Sequence, residues 1–255
     1  MGDSDEGEVS SDSPPPGGTP SRNPRFPLFE ALLFFSAFWL RAYIPVGPFD
    51  PSALAAATAK GLSLPSFHAA NLLFLLPATA LLLYLIASKD GIAAFGIRPL
   101  PRSRDLVVGS LLAALALGIA VTPGILVRFI HAGGAAGFLA NPLLDAVGRP
   151  ETSPLLFVPL VLASSIATGY GEELFFRVYL LRRLSQAGFS QALAVIVSSL
   201  LFGIAHGSQG LLGIALAFVL GTLFALRFAA GKSWHEIAFG HGMYNFVVLL
   251  LVLYR

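Results

Sequence analysis

The chain has 255 residues, of which 55% are hydrophobic and 12% charged, with a mean hydropathy of +0.76 and a formal net charge of +2. So apolar a composition excludes a water-soluble domain of this length and predicts a polytopic membrane protein. The small positive balance excludes a nucleic-acid footprint, and the absence of cysteine excludes disulfides, thiol catalysis and thiolate metal sites.

Residues 1–25 read as a disordered cytoplasmic tail, acidic at Asp3, Asp5, Glu6, Glu8 and Asp12 and then rich in Pro and Gly, without apolar content to build a core. An acidic start resembles neither a secretory signal nor an Arg-rich transit peptide, so the tail is expected to stay on the chain. Residues 26–255 are predicted to form an all-α transmembrane bundle, because a helix satisfies its own backbone polar groups in lipid. Seven spans are expected near 28–46, 66–88, 106–130, 154–184, 190–206, 209–230 and 234–254, with an eighth in 48–62 or 133–148 as the alternative. The fourth exceeds what a bilayer requires, and a bend is expected at Gly169-Tyr170-Gly171. In the sixth, Ala217, Gly221 and Ala225 recur at four-residue spacing and predict close helix packing rather than chemistry.

Orientation follows the Lys/Arg bias of the connections. A cytoplasmic N-terminus assigns Arg22, Arg25, Lys89, Arg98, Arg102, Arg104, Arg182, Arg183, Arg227 and Lys232 to the cytoplasm, against Lys60, Arg149 and Arg255 outside. The Ala/Leu/Gly-rich composition points to a bacterial inner membrane.

Titratable groups within the spans are few: Glu30, Arg41, Arg128, Glu172, Glu173, Arg177, His206 and His241. Glu30, Arg41 and Arg128 lie near span ends, where long side chains reach the interface. The other five lie deeper, where a carboxylate costs roughly 2.5–3.5 kcal/mol, so a chain that keeps two of them there is expected to use them. Glu173 and Arg177 are four residues apart on one helical face and can pair, whereas Glu172 is turned about 100° away. Glu172 is then free to act as a general base, or both glutamates merely hold the bundle through arginines. His206 ends the fifth span, as catalyst or as packing residue. His241 and Asn245 share a face of the last span, as donors to an oxyanion or as an interhelical hydrogen-bonding pair.

The inventory rules out several chemistries. Every aspartate lies outside the apolar spans, which excludes an intramembrane aspartyl pair, and no serine sits in a Gly-x-Ser-x-Gly loop. His235-Glu236 suggests a zinc-protease helix, but His241 is six residues from His235, where that motif needs four.

Three segments in order, E-E-L-F-F-R at 172–177, F-G-I-A-H at 202–206 and H-G-M-Y-N at 241–245, resemble the CAAX-processing and bacteriocin-processing family of intramembrane proteases. The resemblance covers roughly 150–255. It implies hydrolysis of a peptide bond in a membrane-associated peptide or protein, with the lipid bilayer as the medium and no nucleic-acid partner. It implies that Glu172 activates water together with His206, that His241 and Asn245 stabilise the tetrahedral oxyanion, and that Glu173 and Arg177 hold the site together. No cofactor is the favoured expectation, since Asn245 beside His241 makes better sense as an oxyanion donor than as a ligand. The alternative is a zinc ion on Glu172, His206 and His241. Rival readings are a non-catalytic scaffold or immunity protein of the same fold, and a proton-coupled transporter, against which the lack of an inverted repeat counts. Counting along the helices places His206 deeper than Glu172 or His241.

Overall fold

A computed structural model describes residues 25–39, 64–130, 154–231 and 233–253. The expected tail up to residue 24 and both alternatives for an eighth span lie outside these residues, as does the end of the first span beyond Trp39, while Arg25, expected to end the tail, already belongs to the first helix. Among the described residues all regular structure is helical: α1 (Arg25–Phe38), α2 (Leu64–Lys89), α3 (Ser103–Ile130), α4 (Pro154–Glu173), a π turn (Leu174–Tyr179), α5 (Leu180–Gln186), α6 (Gln191–Ala205), α7 (Gly210–Gly231) and α8 (Trp234–Leu253). With α4, the π turn and α5 counted as one continuous rod, these are the seven predicted helices, and the chain is an all-α membrane bundle.

Helix ends follow local chemistry. Asp105 Oδ2 accepts the Arg102 amide at 2.7 Å and caps the start of α3, and Ser190 Oγ accepts the Leu193 amide at 3.3 Å at the start of α6. Gly188, at φ 90°, makes the left-handed turn between α5 and α6.

Segments of α2 and α3 (Asn71–Lys89 and Ser103–Thr122), and α7 with the turn before it (Gly207–Gly231), are long and apolar enough to cross a membrane. The others fall short for identifiable reasons. α6 has 15 residues, a rise of about 22 Å at ~1.5 Å per residue, and ends at His206 in the interior. α4 and α8 carry the polar motifs. Large apolar side chains point outward around the bundle, among them Leu73 at 77%, Leu111 at 67% and Leu211 at 66% exposure, as expected of surfaces solvated by lipid.

The bundle is organised on α4 and α8, which form its most extensive pairing; α3 packs on α8, α2 on α4, and α7 on α6. The expected bend at Gly169–Gly171 is absent: α4 is helical through both glycines, and the irregularity is the π turn that begins after Glu173. The glycines are contact points instead. A Cβ on Gly169 would lie 2.5 Å from the Ala238 carbonyl oxygen and 2.6 Å from the Gly242 nitrogen, and one on Gly171 would lie 2.7 Å from Thr79 Oγ1. A sequence shows that glycines are present but not whether they supply a kink or room for a neighbour.

Candidate active site

The π turn carries the buried centre of the molecule. Its residues, Leu174 to Tyr179, are all at most 2% exposed, with Glu173 and Arg177 both at 0%. Six consecutive buried positions leave no lipid-facing side, so this stretch is wrapped by neighbours all round.

Glu173 and Arg177 form the expected pair, with Arg177 Nη1 3.1 Å from Glu173 Oε1. Arg177 Nη2 donates to the Gly221 carbonyl at 3.1 Å, and the guanidinium lies 4.2 Å from the Phe202 ring centroid. Gly221 thus takes part in the polar centre as well as in packing: its carbonyl accepts from Arg177, and a side chain there would press on Arg177 and Phe202 at 3.0 Å.

His241 reaches the same carboxylate from α8, its Nδ1–H donating to Glu173 Oε1 at 2.8 Å. The approach follows from helix direction. α4 and α8 run antiparallel, with Gly169 against Ala238 and Phe157 packed near Leu249. Because Cβ bonds tilt toward each helix's N-terminus, Glu173 and His241 lean toward one another across several residues of axial offset. His241 is also stacked 5.4 Å from Phe224.

Glu172 is placed differently. Its Oε2 is buried and makes no hydrogen bond among the described residues, and it lies 3.8 Å from His241 Nε2. The two glutamates therefore address opposite nitrogens of one imidazole. With Nδ1–H committed to Glu173, the neutral His241 ring turns a lone pair toward Glu172. A water lying to one side of that 3.8 Å gap can hydrogen-bond to both.

His206 joins from α6. Its Nδ1–H donates to the Phe202 carbonyl at 2.8 Å, which leaves Nε2 as the proton acceptor in the neutral ring. Phe202 lies beside Arg177 and His206 is one turn further along α6, so in this antiparallel arrangement His206 is level with the glutamates. The Phe202 ring is 4.5 Å from the His206 ring and 5.8 Å from the His241 ring. Residue counting from the helix ends does not reproduce this juxtaposition. Asn245 is half-buried within α8, one turn beyond His241.

All three motif helices therefore contribute to one site. Among the described residues no three His, Asp or Glu side chains are gathered closely enough to hold a metal ion. His235 and Glu236 are occupied elsewhere: His235 accepts from the Tyr170 hydroxyl at 3.1 Å and donates to the Arg98 carbonyl at 2.9 Å, and Glu236 pairs with Arg227.

Several residues at the site escape the sequence reading. Phe202 stands in the second motif but was assigned no role, although it touches Arg177 and both histidines. Phe224 carries no signal at all. His68, buried 5.8 Å from the Phe157 ring, is a further intramembrane histidine that the span inventory does not single out.

The three motifs thus form one cluster of glutamates, histidines and an arginine inside the helix bundle. Residues 154–247 match the family model described as type II CAAX prenyl endopeptidase Rce1-like. This segment holds all three motifs, and the match agrees with the resemblance seen in the sequence. No curated protein and no solved structure matches the chain.

Proposed function

We propose that the protein is an intramembrane endopeptidase that uses Glu172 and His206 to activate water against a peptide bond. The observation that carries this reading is the asymmetry of the adjacent glutamates. Glu173 is held through Oε1 by Arg177 and His241, whereas Glu172 has no such anchor and its buried Oε2 meets no donor among the described residues. A buried carboxylate oxygen without a partner is costly, and water is the natural occupant beside it.

In the proposed reaction Glu172 takes a proton from that water as its oxygen attacks the scissile carbonyl, and the proton passes to the departing amine. The Nε2 lone pair of His206 shares in the transfer. The tetrahedral oxyanion is met by the Asn245 amide and by His241, whose Nε2 donates only when the ring carries both protons. Glu173 and Arg177 hold His241 in orientation.

The substrate is a peptide already anchored in the bilayer, and a prenylated C-terminal segment is the class the family name suggests. The N-terminus lies on the cytoplasmic side, as the Lys/Arg bias of the connections favours. Metal is not part of this mechanism.

The test is cleavage of prenylated and unprenylated peptides by purified protein in detergent or nanodiscs. Glu172→Gln and His206→Ala are expected to fold and to lose cleavage. Parent-like cleavage by both would overturn the mechanism. Activity lost to 1,10-phenanthroline and restored by zinc would overturn its metal-free form.

A further inference from the structure

Glu30 lies far outside the family-matched stretch, yet it binds the rod that carries the glutamates. Tyr179, fully buried, ends the π turn and donates its hydroxyl to Glu30 Oε1. Arg183 Nη2 lies 3.2 Å from the same oxygen and 2.8 Å from Asp90 Oδ2, and Lys89 Nζ is 2.6 Å from Glu30 Oε2. Beside this network α1 lays aromatic rings on the turn: Phe34 is 5.3 Å and Trp39 4.4 Å from Phe175, and Phe35 is 6.2 Å from Phe176.

A π turn holds one residue more than the α-helix it interrupts, and absorbing that residue would rotate its two flanks relative to each other by about 100°. Here both flanks are anchored. On one side Gly169 is wedged against α8 and Gly171 against Thr79; on the other stand Tyr179 and Arg183. The extra residue is trapped between the anchors, with Arg177 inside the turn and both glutamates at its entrance.

We infer that Glu30 is a positioning residue, which fixes the register of the π turn through Tyr179 and so sets the orientation of Arg177, Glu173 and Glu172. Its kinetic consequence rests on the peptidase reading; its structural consequence does not. Tyr179→Phe keeps the ring, which stacks 6.3 Å from Phe95, and deletes only the hydroxyl. Glu30→Gln keeps an acceptor for Tyr179, whereas Glu30→Ala keeps nothing.

Tyr179→Phe and Glu30→Ala are expected to lower kcat by about tenfold or more, as small misplacements of reacting groups do, with KM unchanged. Glu30→Gln is expected to recover most of the rate, and the double variant Tyr179→Phe/Glu30→Ala to be no slower than the slower single variant. The ¹⁵N resonances of the His241 ring report the site without reference to turnover; they are expected to move in Tyr179→Phe while those of His68 stay. Unchanged kcat together with unmoved His241 resonances would overturn the inference, as would a rate loss accompanied only by lower thermal stability. A parent protein that cleaves no peptide, but whose His241 resonances move, would sink the peptidase reading and leave the positioning role standing.

Discussion

Two groups of charge among the described residues meet the same continuous rod, and they are finished differently. At the end toward α5, Glu30 has both oxygens engaged, Oε1 by Tyr179 and Arg183 and Oε2 by Lys89. At the centre, Glu173 uses Oε1 for two partners, and Oε2 of each adjacent glutamate has no donor among the described residues. Composition does not separate the groups, since both are built from acids, arginine and an aromatic shell. The difference lies in what is left unpaired, and acceptor capacity unused in a low-dielectric interior is what a reaction can draw on.

Glu172→Gln is the sharpest way to break the comparison. A general base typically contributes about 10²–10⁴-fold, so cleavage should fall at least a hundredfold. Stability should stay within about 0.5 kcal/mol of the parent, because Glu172 Oε2 has no hydrogen-bond partner to lose among the described residues. Thermal unfolding in detergent beside the cleavage assay checks both halves. A large stability loss would mean that Glu172 is as structural as Glu30.

Arg177→Met should show the reverse profile. Removing one partner of a buried ion pair costs roughly 3–5 kcal/mol, and here the Gly221 hydrogen bond and the Phe202 contact go with it. Unfolding should come at clearly lower temperature or denaturant, with activity failing as a consequence. Gly169→Ala should follow, since overpacking a tight crossing costs roughly 1–3 kcal/mol and the added carbon would meet α8 backbone that cannot swing aside.

Much of this centre is legible in the sequence. A four-residue spacing put Glu173 with Arg177, and a rotation of about 100° set Glu172 apart; both features are present in the structure. Spans read from hydropathy matched the helices to within a few residues wherever the chain is described, because lipid makes the helix the default. What escaped depends on contacts between distant segments. Glu30 read as a residue near a span end because nothing local shows that Tyr179 and Arg183 arrive beside it. The π turn was invisible for a related reason: its six residues have ordinary helical composition, and the extra residue exists only because both flanks are pinned by other helices. That His241 reaches both glutamates depends on the antiparallel lean of α4 and α8, which no single helix encodes.

The smallest predicted effect tests the outer group from its edge. Lys89 Nζ is 2.6 Å from Glu30 Oε2, but its side chain is 37% exposed. Water screens such a pair and the long side chain loses freedom to hold it, so Lys89→Met should cost less than about 1 kcal/mol in thermal unfolding. Its kcat should match the parent's, because Tyr179 and Arg183 still hold Oε1 and the register of the π turn depends on that oxygen. A rate loss as large as that of Tyr179→Phe would move the control from the hydroxyl to the charge on Glu30. The outer group would then reach the active site through electrostatics, and its contrast with the centre would be one of distance rather than of kind.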